Sequence, residues 1–453
     1  MAPGICLAAY EPNHGSEMTR RIRKLAVAPI FALLGLSLLI APSAGGLLAP
    51  TPAGPLGGVN LTGLYSSMSI ANADRSVESA KALHARMIRV EIPWSILEPR
   101  RGQAQPQALA FTDHLVNKAA SVGIKVVALV LRTPCWASSA PASLLSRCEP
   151  DKSSRANAWP PSDPRAYASF VAFLAARYGP KLAAIEVWNE PDQSNEDYFA
   201  GPNKARRYAE LLRAAYPAIK SADPEMTVLG GSLVGSNGAF LRALYAAGIK
   251  GYYDGLSVHF YTLVLGSLRY LHEVQLQNGD HTPLWLNEFG WSSCWPRQRI
   301  QQEQGCVTKQ VQATNIANVY RETARTSWIA AETLYSLQGS RSEEFGVLSE
   351  TGARKPAFAA LRNVLVSPFG KPSPVTVRLS RRRGGVVASG SGPVGDYLQL
   401  EAFRGGRAVY RAQFTLNRFN RYSIALPRVL GENLRVNVFQ YWLGTARAAG
   451  ASI

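Results

Sequence analysis

Between residues 56 and 366, eight short runs rich in Val, Ile and Leu alternate with helix-like segments, and this alternation most limits the folds open to the chain. The runs cover 59–64, 87–92, 124–131, 184–188, 227–231, 255–260, 283–288 and 330–337. Near-continuous apolar runs of this length suit strands covered on both faces, the condition of a parallel sheet. Helical spacing shows between them: in 164–178, Phe170, Phe173, Leu174 and Tyr178 fall on one face. Strand–helix units repeated eight times predict a (β/α)8 TIM barrel over 56–366, within the α/β class, rather than an open doubly wound sheet. The first run is not followed by a glycine-rich phosphate fingerprint, which argues against dinucleotide binding.

Beyond residue 370 the pattern changes. Short alternating runs at 375–379, 397–403, 408–414, 422–426 and 434–441, parted by Gly- or Pro-containing turns, predict a small C-terminal antiparallel β-sandwich over 371–453. This tail holds 13 Lys+Arg against 3 Asp+Glu, so about +10 of the net charge of +18 lies in it. Two readings stay open: a solvated basic surface, or a face for an acidic polysaccharide or the anionic cell envelope.

Residues 1–50 stand apart from both domains. Arg20, Arg21, Arg23 and Lys24 precede an apolar core at 25–40 and small residues at 41–46, the order of an export signal, with Met18 a candidate initiator. The same stretch is long enough for an uncleaved membrane anchor. An exported location makes nucleic acid an improbable partner and permits disulfides. Cys6 precedes the signal; the other cysteines fall into two local couples, Cys135 with Cys148 and Cys294 with Cys306. Local pairing is the simplest of the three connectivities. Neither couple has the spacing or the histidines of a structural zinc site.

The chemistry concentrates in two glutamates at the ends of apolar runs. Glu190 lies in Trp188-Asn189-Glu190-Pro191, at the end of run four, and Glu288 in Asn287-Glu288-Phe289-Gly290, at the end of run seven. A carboxylate at the exit of a buried strand is costly to desolvate unless it is paired or used. In a barrel of this kind, strand C-termini converge on one face, where active sites lie. Two such carboxylates form the pair that hydrolysis of a sugar acetal requires.

These two segments resemble the clan A glycoside hydrolases, whose (β/α)8 barrels carry the acid/base after strand four and the nucleophile after strand seven. Arg89-Val90-Glu91-Ile92-Pro93-Trp94 resembles the clan's strand-two block, and His259-Phe260-Tyr261 its strand-six pair. Barrel plus β-sandwich looks most like glycoside hydrolase family 39 and its family 5 neighbours. The resemblance implies a retaining enzyme with Glu190 as acid/base and Glu288 as nucleophile. It implies that Arg89 holds Glu288 ionised, that Tyr261 hydrogen-bonds it, that His259 lies near Glu190, and that Asn189 binds a sugar hydroxyl. Where many relatives carry a tryptophan platform after strand eight, this chain has Tyr335.

Retention calls for carboxyl groups about 5–5.5 Å apart, close enough for their pKa values to split. Neither a cofactor nor a metal is required. Trp94, Trp136, Trp291 and Trp295, each just past a strand, are candidate sugar platforms, whereas Trp188 is expected to pack. Glu98 is expected to cap structure and Glu186 to orient its neighbours inside the barrel. The expected partner is a polysaccharide or oligosaccharide, bound by a monomer. Two further readings remain, an exo-acting β-xylosidase-like enzyme and a non-catalytic glycan-binding envelope protein.

Overall fold

Eight parallel strands close into a barrel in chain order: β1 (Leu56–Leu61), β2 (Met87–Pro93), β3 (Lys125–Leu131), β4 (Leu182–Val187), β5 (Val228–Leu233), β6 (Gly255–His259), β7 (Leu284–Phe289) and β8 (Ile329–Leu334). The computed structural model describes residues 55–453 except 151, 236, 262–266, 295–305, 341–342, 369, 372, 383–384, 394–396, 431–432 and 443–444. The segment expected to be an export signal, Cys6 and Trp295 lie outside the described residues. Among the described residues no helix is long and apolar enough to cross a membrane.

Each strand is followed by a helix, from Ile70–Ala82 after β1 to Pro356–Val366 after β8. The helices start where capping chemistry allows. Asp163 accepts from the Arg165 backbone N–H with Pro164 behind it, and Thr308 accepts from that of Val311. All eight expected strands form, with bounds that move by up to three residues: β1 begins at Leu56 rather than at residue 59, and β8 ends at Leu334 rather than at residue 337. Gly57 and Gly58 open it because a Cβ on the first would collide with Leu365 and on the second with the Met87 carbonyl oxygen. Read as turn formers, these glycines hide a strand start that neighbouring elements press against.

Strand alternation sorts the barrel interior into layers. Met87, Val127, Ala184, Leu229, Trp285 and Ala331 form an apolar plug toward the N-terminal ends of the strands. Two residues further along, on β1, β2, β4, β6, β7 and β8, stand Asn60, Arg89, Glu186, Ser257, Asn287 and Thr333, all buried. The layer toward the C-terminal ends of the strands is therefore polar and needs internal partners.

The C-terminal region forms two antiparallel sheets. One has the order β13-β10-β9, from β9 (Arg378–Arg382), β10 (Gly385–Ser391) and β13 (Arg421–Ala425). The other has the order β12-β11-β14-β15, from β11 (Tyr397–Arg404), β12 (Arg407–Thr415), β14 (Arg435–Trp442) and β15 (Thr445–Ser452). Ala388 and Tyr422 of the first sheet share one core with Leu398, Leu400, Val436 and Val438 of the second. The small domain is fastened to the barrel helix Lys309–Thr323: Asn318 donates to the Pro393 carbonyl at 2.7 Å and accepts from the Ser373 N–H at 3.0 Å, and Asn420 donates to Asn315 at 2.6 Å. Both expected disulfides, Cys135–Cys148 after β3 and Cys294–Cys306 after β7, are present.

Candidate active site

Glu190 leaves β4 through a turn in which Trp188 and Glu190 both have positive φ, 69° and 43°. Positive φ is uncommon for residues with a Cβ and recurs where a functional side chain must be aimed. Trp188 turns into the core, wholly buried, and its indole donates to the Tyr198 carbonyl at 2.8 Å. Asn189 and Glu190 face the barrel mouth, where they line a cavity of about 300 Å³ together with Arg89, Tyr261, Glu288 and Tyr335.

Arg89 is the centre of the arrangement. Its Nε donates to Glu186 at 2.5 Å, and one terminal nitrogen donates to Glu288 Oε1 at 2.6 Å and to Asn60 at 2.9 Å. The other donates to Asn189 at 3.1 Å and lies 3.3 Å from His259 Nε2. Glu186 is completed by the Ser232 and Ser257 hydroxyls at 2.6 and 2.5 Å. Burial works against the charged guanidinium, yet the Glu186 and Glu288 carboxylates outweigh it and keep Arg89 protonated. The same cation holds Glu186 well below the usual carboxylate range despite burial.

The two glutamates sit in opposite environments. Glu288 is buried, which alone would raise its pKa, but His259, Arg89 and the Tyr261 hydroxyl donating at 2.5 Å pull it down. Burial dominates at Glu190 and raises its pKa, with His259 offsetting part of the effect and Glu288 adding to it. His259 Nδ1 lies 2.9 Å from Glu190 Oε1. Burial would depress this imidazole, yet the charge of Glu288, the Glu186 carboxylate 3.8 Å from Nε2 and the hydrogen bond to Glu190 push it up to about 9. Whether the ring is charged or is the neutral form whose Nε2 accepts from Arg89, Nδ1 carries the proton given to Glu190.

Glu190, His259 and Glu288 each offer a ligand atom within 4.8 Å of the others. Among the described residues this is the one group with spacing suited to a metal ion. The local positive charge is already supplied by Arg89.

Asn189, Glu190, Arg89, His259, Tyr261, Glu288 and Tyr335 thus meet at one place, whereas Trp94, Trp136 and Trp291 do not. Trp94 is wholly buried, stacks on Phe170 at 5.7 Å and donates to Glu98 at 2.7 Å. The chain turns helical at Trp94–Leu97, which swings this indole into the helix layer. Trp136 packs edge-on against Trp94 at 5.5 Å and lines a separate cavity of about 400 Å³ with Arg101 and Phe173. Trp291 is also buried, against Phe289. Their place in the sequence just past a strand says nothing of side-chain direction, and the platform role expected of them is corrected accordingly. The aromatic wall of the cavity that holds Glu190 and Glu288 is instead Tyr261, Tyr335 and Phe345, edge to face at 5.5–6.0 Å, with Tyr198 lining it too. Glu98 accepts from Trp94 and from the Gly102 N–H, the structural role expected of it.

Asn60, Ser232, Ser257 and Gln193 escape a motif search. Asn60 had a signal, a polar side chain at an inward position of an apolar run. The two serines and Gln193 carried none.

A family model described as glycosyl hydrolase catalytic core matches residues 165–353. No curated protein matches the chain. Solved structures similar to it include a family 39 glycoside hydrolase from Bacteroides cellulosilyticus WH2, at 18% identity and a TM-score of 0.54, covering 82% of this chain and 81% of that one. A monomeric β-xylosidase from Caulobacter crescentus CB15 follows at 17% identity and 0.51, covering 83% and 95%. An endo-β-1,4-mannanase from Thermotoga petrophila stands at 14% and 0.51, covering 87% and 97%. At these identities the likeness to solved structures is one of fold. Over the segment that holds Glu190, His259 and Glu288, the chain matches the glycosyl hydrolase catalytic core.

Proposed function

We propose that the protein is an exported, retaining β-glycosidase acting on an oligosaccharide or polysaccharide. Glu288 attacks the anomeric carbon as a carboxylate while Glu190 protonates the departing glycosidic oxygen. Glu190, now ionised, then takes a proton from the water that releases the sugar from Glu288. The observation that carries this reading is that two carboxyl groups with ligand oxygens within 4.8 Å are driven in opposite directions by their surroundings. Retaining pairs stand about 5–5.5 Å apart and inverting pairs about 6.5–9.5 Å, leaving room for a water.

A substrate of several sugars is supported by a cavity of about 920 Å³ that shares Leu61 and Glu91 with the catalytic cavity and runs past Arg132 to Trp159. The xylosidase and mannanase among the similar structures make β-linked xylose and mannose chains the first to try. Export is supported by the basic-then-apolar N-terminal segment and by the two disulfides.

The decisive experiment is Glu288→Ala with and without azide on an aryl β-glycoside. Turnover should vanish and return with azide, giving an α-configured glycosyl azide. A β-configured azide would exchange the roles of Glu288 and Glu190. Undiminished turnover without azide would end the proposal.

A further inference from the structure

Glu190 is held from two sides. His259 takes Oε1, and the side-chain amide of Gln193, in the loop after β4, donates to Oε2. That loop is fastened: Lys204 Nζ donates to the carbonyls of Gln193 and Asn195 at 2.6 and 3.1 Å, and Arg132 to that of Asp197 at 2.6 Å. Gln193 lines the catalytic cavity, yet its amide oxygen is buried with no hydrogen-bond partner among the described residues. Burying an amide oxygen without a donor is unfavourable, and such an atom in a cavity wall calls for a donor from what fills the cavity.

We propose that Gln193 is a positioning and specificity residue: its amide N–H holds Glu190 Oε2, and its amide oxygen accepts a hydroxyl of the departing sugar. The inference rests on Glu190 being the acid/base. With Oε1 engaged by His259, Oε2 is the oxygen that gives its proton to the glycosidic oxygen and later receives one from water. Gln193 therefore touches the atom through which both transfers pass, on the side where the leaving sugar departs. An aryl leaving group offers no hydroxyl for the amide oxygen, so it forgoes this contact.

The ionisable groups facing Glu190 are Arg89 from β2, His259 and Tyr261 from β6 and its exit, Glu288 from β7, and Tyr198 from its own loop. Gln193 acts among them without titrating. A donor to the ionised carboxylate favours the charged form, so removing it raises the Glu190 pKa.

Gln193→Met keeps the bulk and removes both hydrogen-bonding ends; Gln193→Ala removes the bulk as well. In Gln193→Met the alkaline limb of kcat/KM, which reports loss of the Glu190 proton, should move up by about half to one pH unit. The same rise should appear in a carbon NMR titration of the Glu190 carboxyl, which needs no substrate. On β-1,4-linked xylo- or mannotriose, kcat/KM should fall about tenfold further than on the matching aryl glycoside, the worth of one hydrogen bond. A carboxyl titration that stays put or moves down overturns the proposal, as do equal losses on the two substrates. Failure of both variants to fold, read by circular dichroism, overturns it too, since Gln193 would then be structural. Glu190→Ala separates the premise from the inference: if it keeps full activity on the trisaccharide, the acid/base reading itself falls.

Discussion

Arg89 pairs with two buried carboxylates, and replacing it separates their contributions. Arg89→Gln leaves His259 as the cation beside Glu288, so the Glu288 pKa rises and the acid limb of kcat/KM moves to higher pH, since the proposed mechanism needs Glu288 ionised and Glu190 protonated. The same change strands Glu186, at a cost of about 3–5 kcal/mol for a broken buried pair. Adding Glu186→Gln should restore most of the melting temperature and little of the activity. If activity returned with stability, Arg89 would be a scaffold residue alone. At this scale the sequence revealed what short motifs carry: Glu190, Glu288, Arg89, His259 and Tyr261. It did not reveal Gln193, whose role depends on how a loop folds back. It misdirected at Trp94 and Trp291, because the turn at a strand exit decides which way an indole faces.

At the scale of elements, β8 carries an anomaly on its outer face. Glu332 is buried against the helix Lys309–Thr323, both carboxyl oxygens within 2.8 Å of the Thr323 hydroxyl. Burial outweighs that hydrogen bond and pushes its pKa up to about 8. The folded state therefore keeps a proton that the unfolded chain releases near its ordinary value of 4.5. This group's contribution is full below about pH 4.5 and is lost as pH rises to about 8. Glu332→Gln should leave the melting temperature unchanged at pH 4 and raise it by a few degrees at pH 8. A uniform shift at both pH values would refute the assignment. The strands themselves were legible where branched apolar residues mark them. β10 and β15 were not, because Gly, Ser and Ala dominate them and pairing with neighbours overrides weak propensity.

For the whole molecule, the question is what the arginine-rich β-domain does for the barrel. Glu401, the carboxylate among its described residues, pairs with Arg411 on the neighbouring strand, and its described attachment runs through Asn315 and Asn318 on one barrel helix. Ending the chain after Val366 uncovers both asparagines and should lower the melting temperature and solubility. Turnover of a small aryl glycoside by the protein that stays folded should remain within about twofold. A truncated protein with native circular dichroism and no activity would show instead that the domain completes the site. Should polymer binding alone be lost, and more at low salt than at high, the exposed arginines would be a glycan-binding face.

The polar layer inside the barrel has a bearing on how such a site is inherited. The matched family segment, 165–353, contains both glutamates but neither Asn60 nor Arg89, which arrive on β1 and β2. Arg89 and Glu288 are 199 positions apart in the chain and touch only when the ring of strands is shut. The strands β4 to β8, which bear both glutamates, thus borrow their counterion from β1 to β3, which bear neither. A gene fragment encoding only β4 to β8 would pass on the glutamates without the charge that sets them apart, and recombination between barrels would have to match β2 to β4 and β7 as a trio.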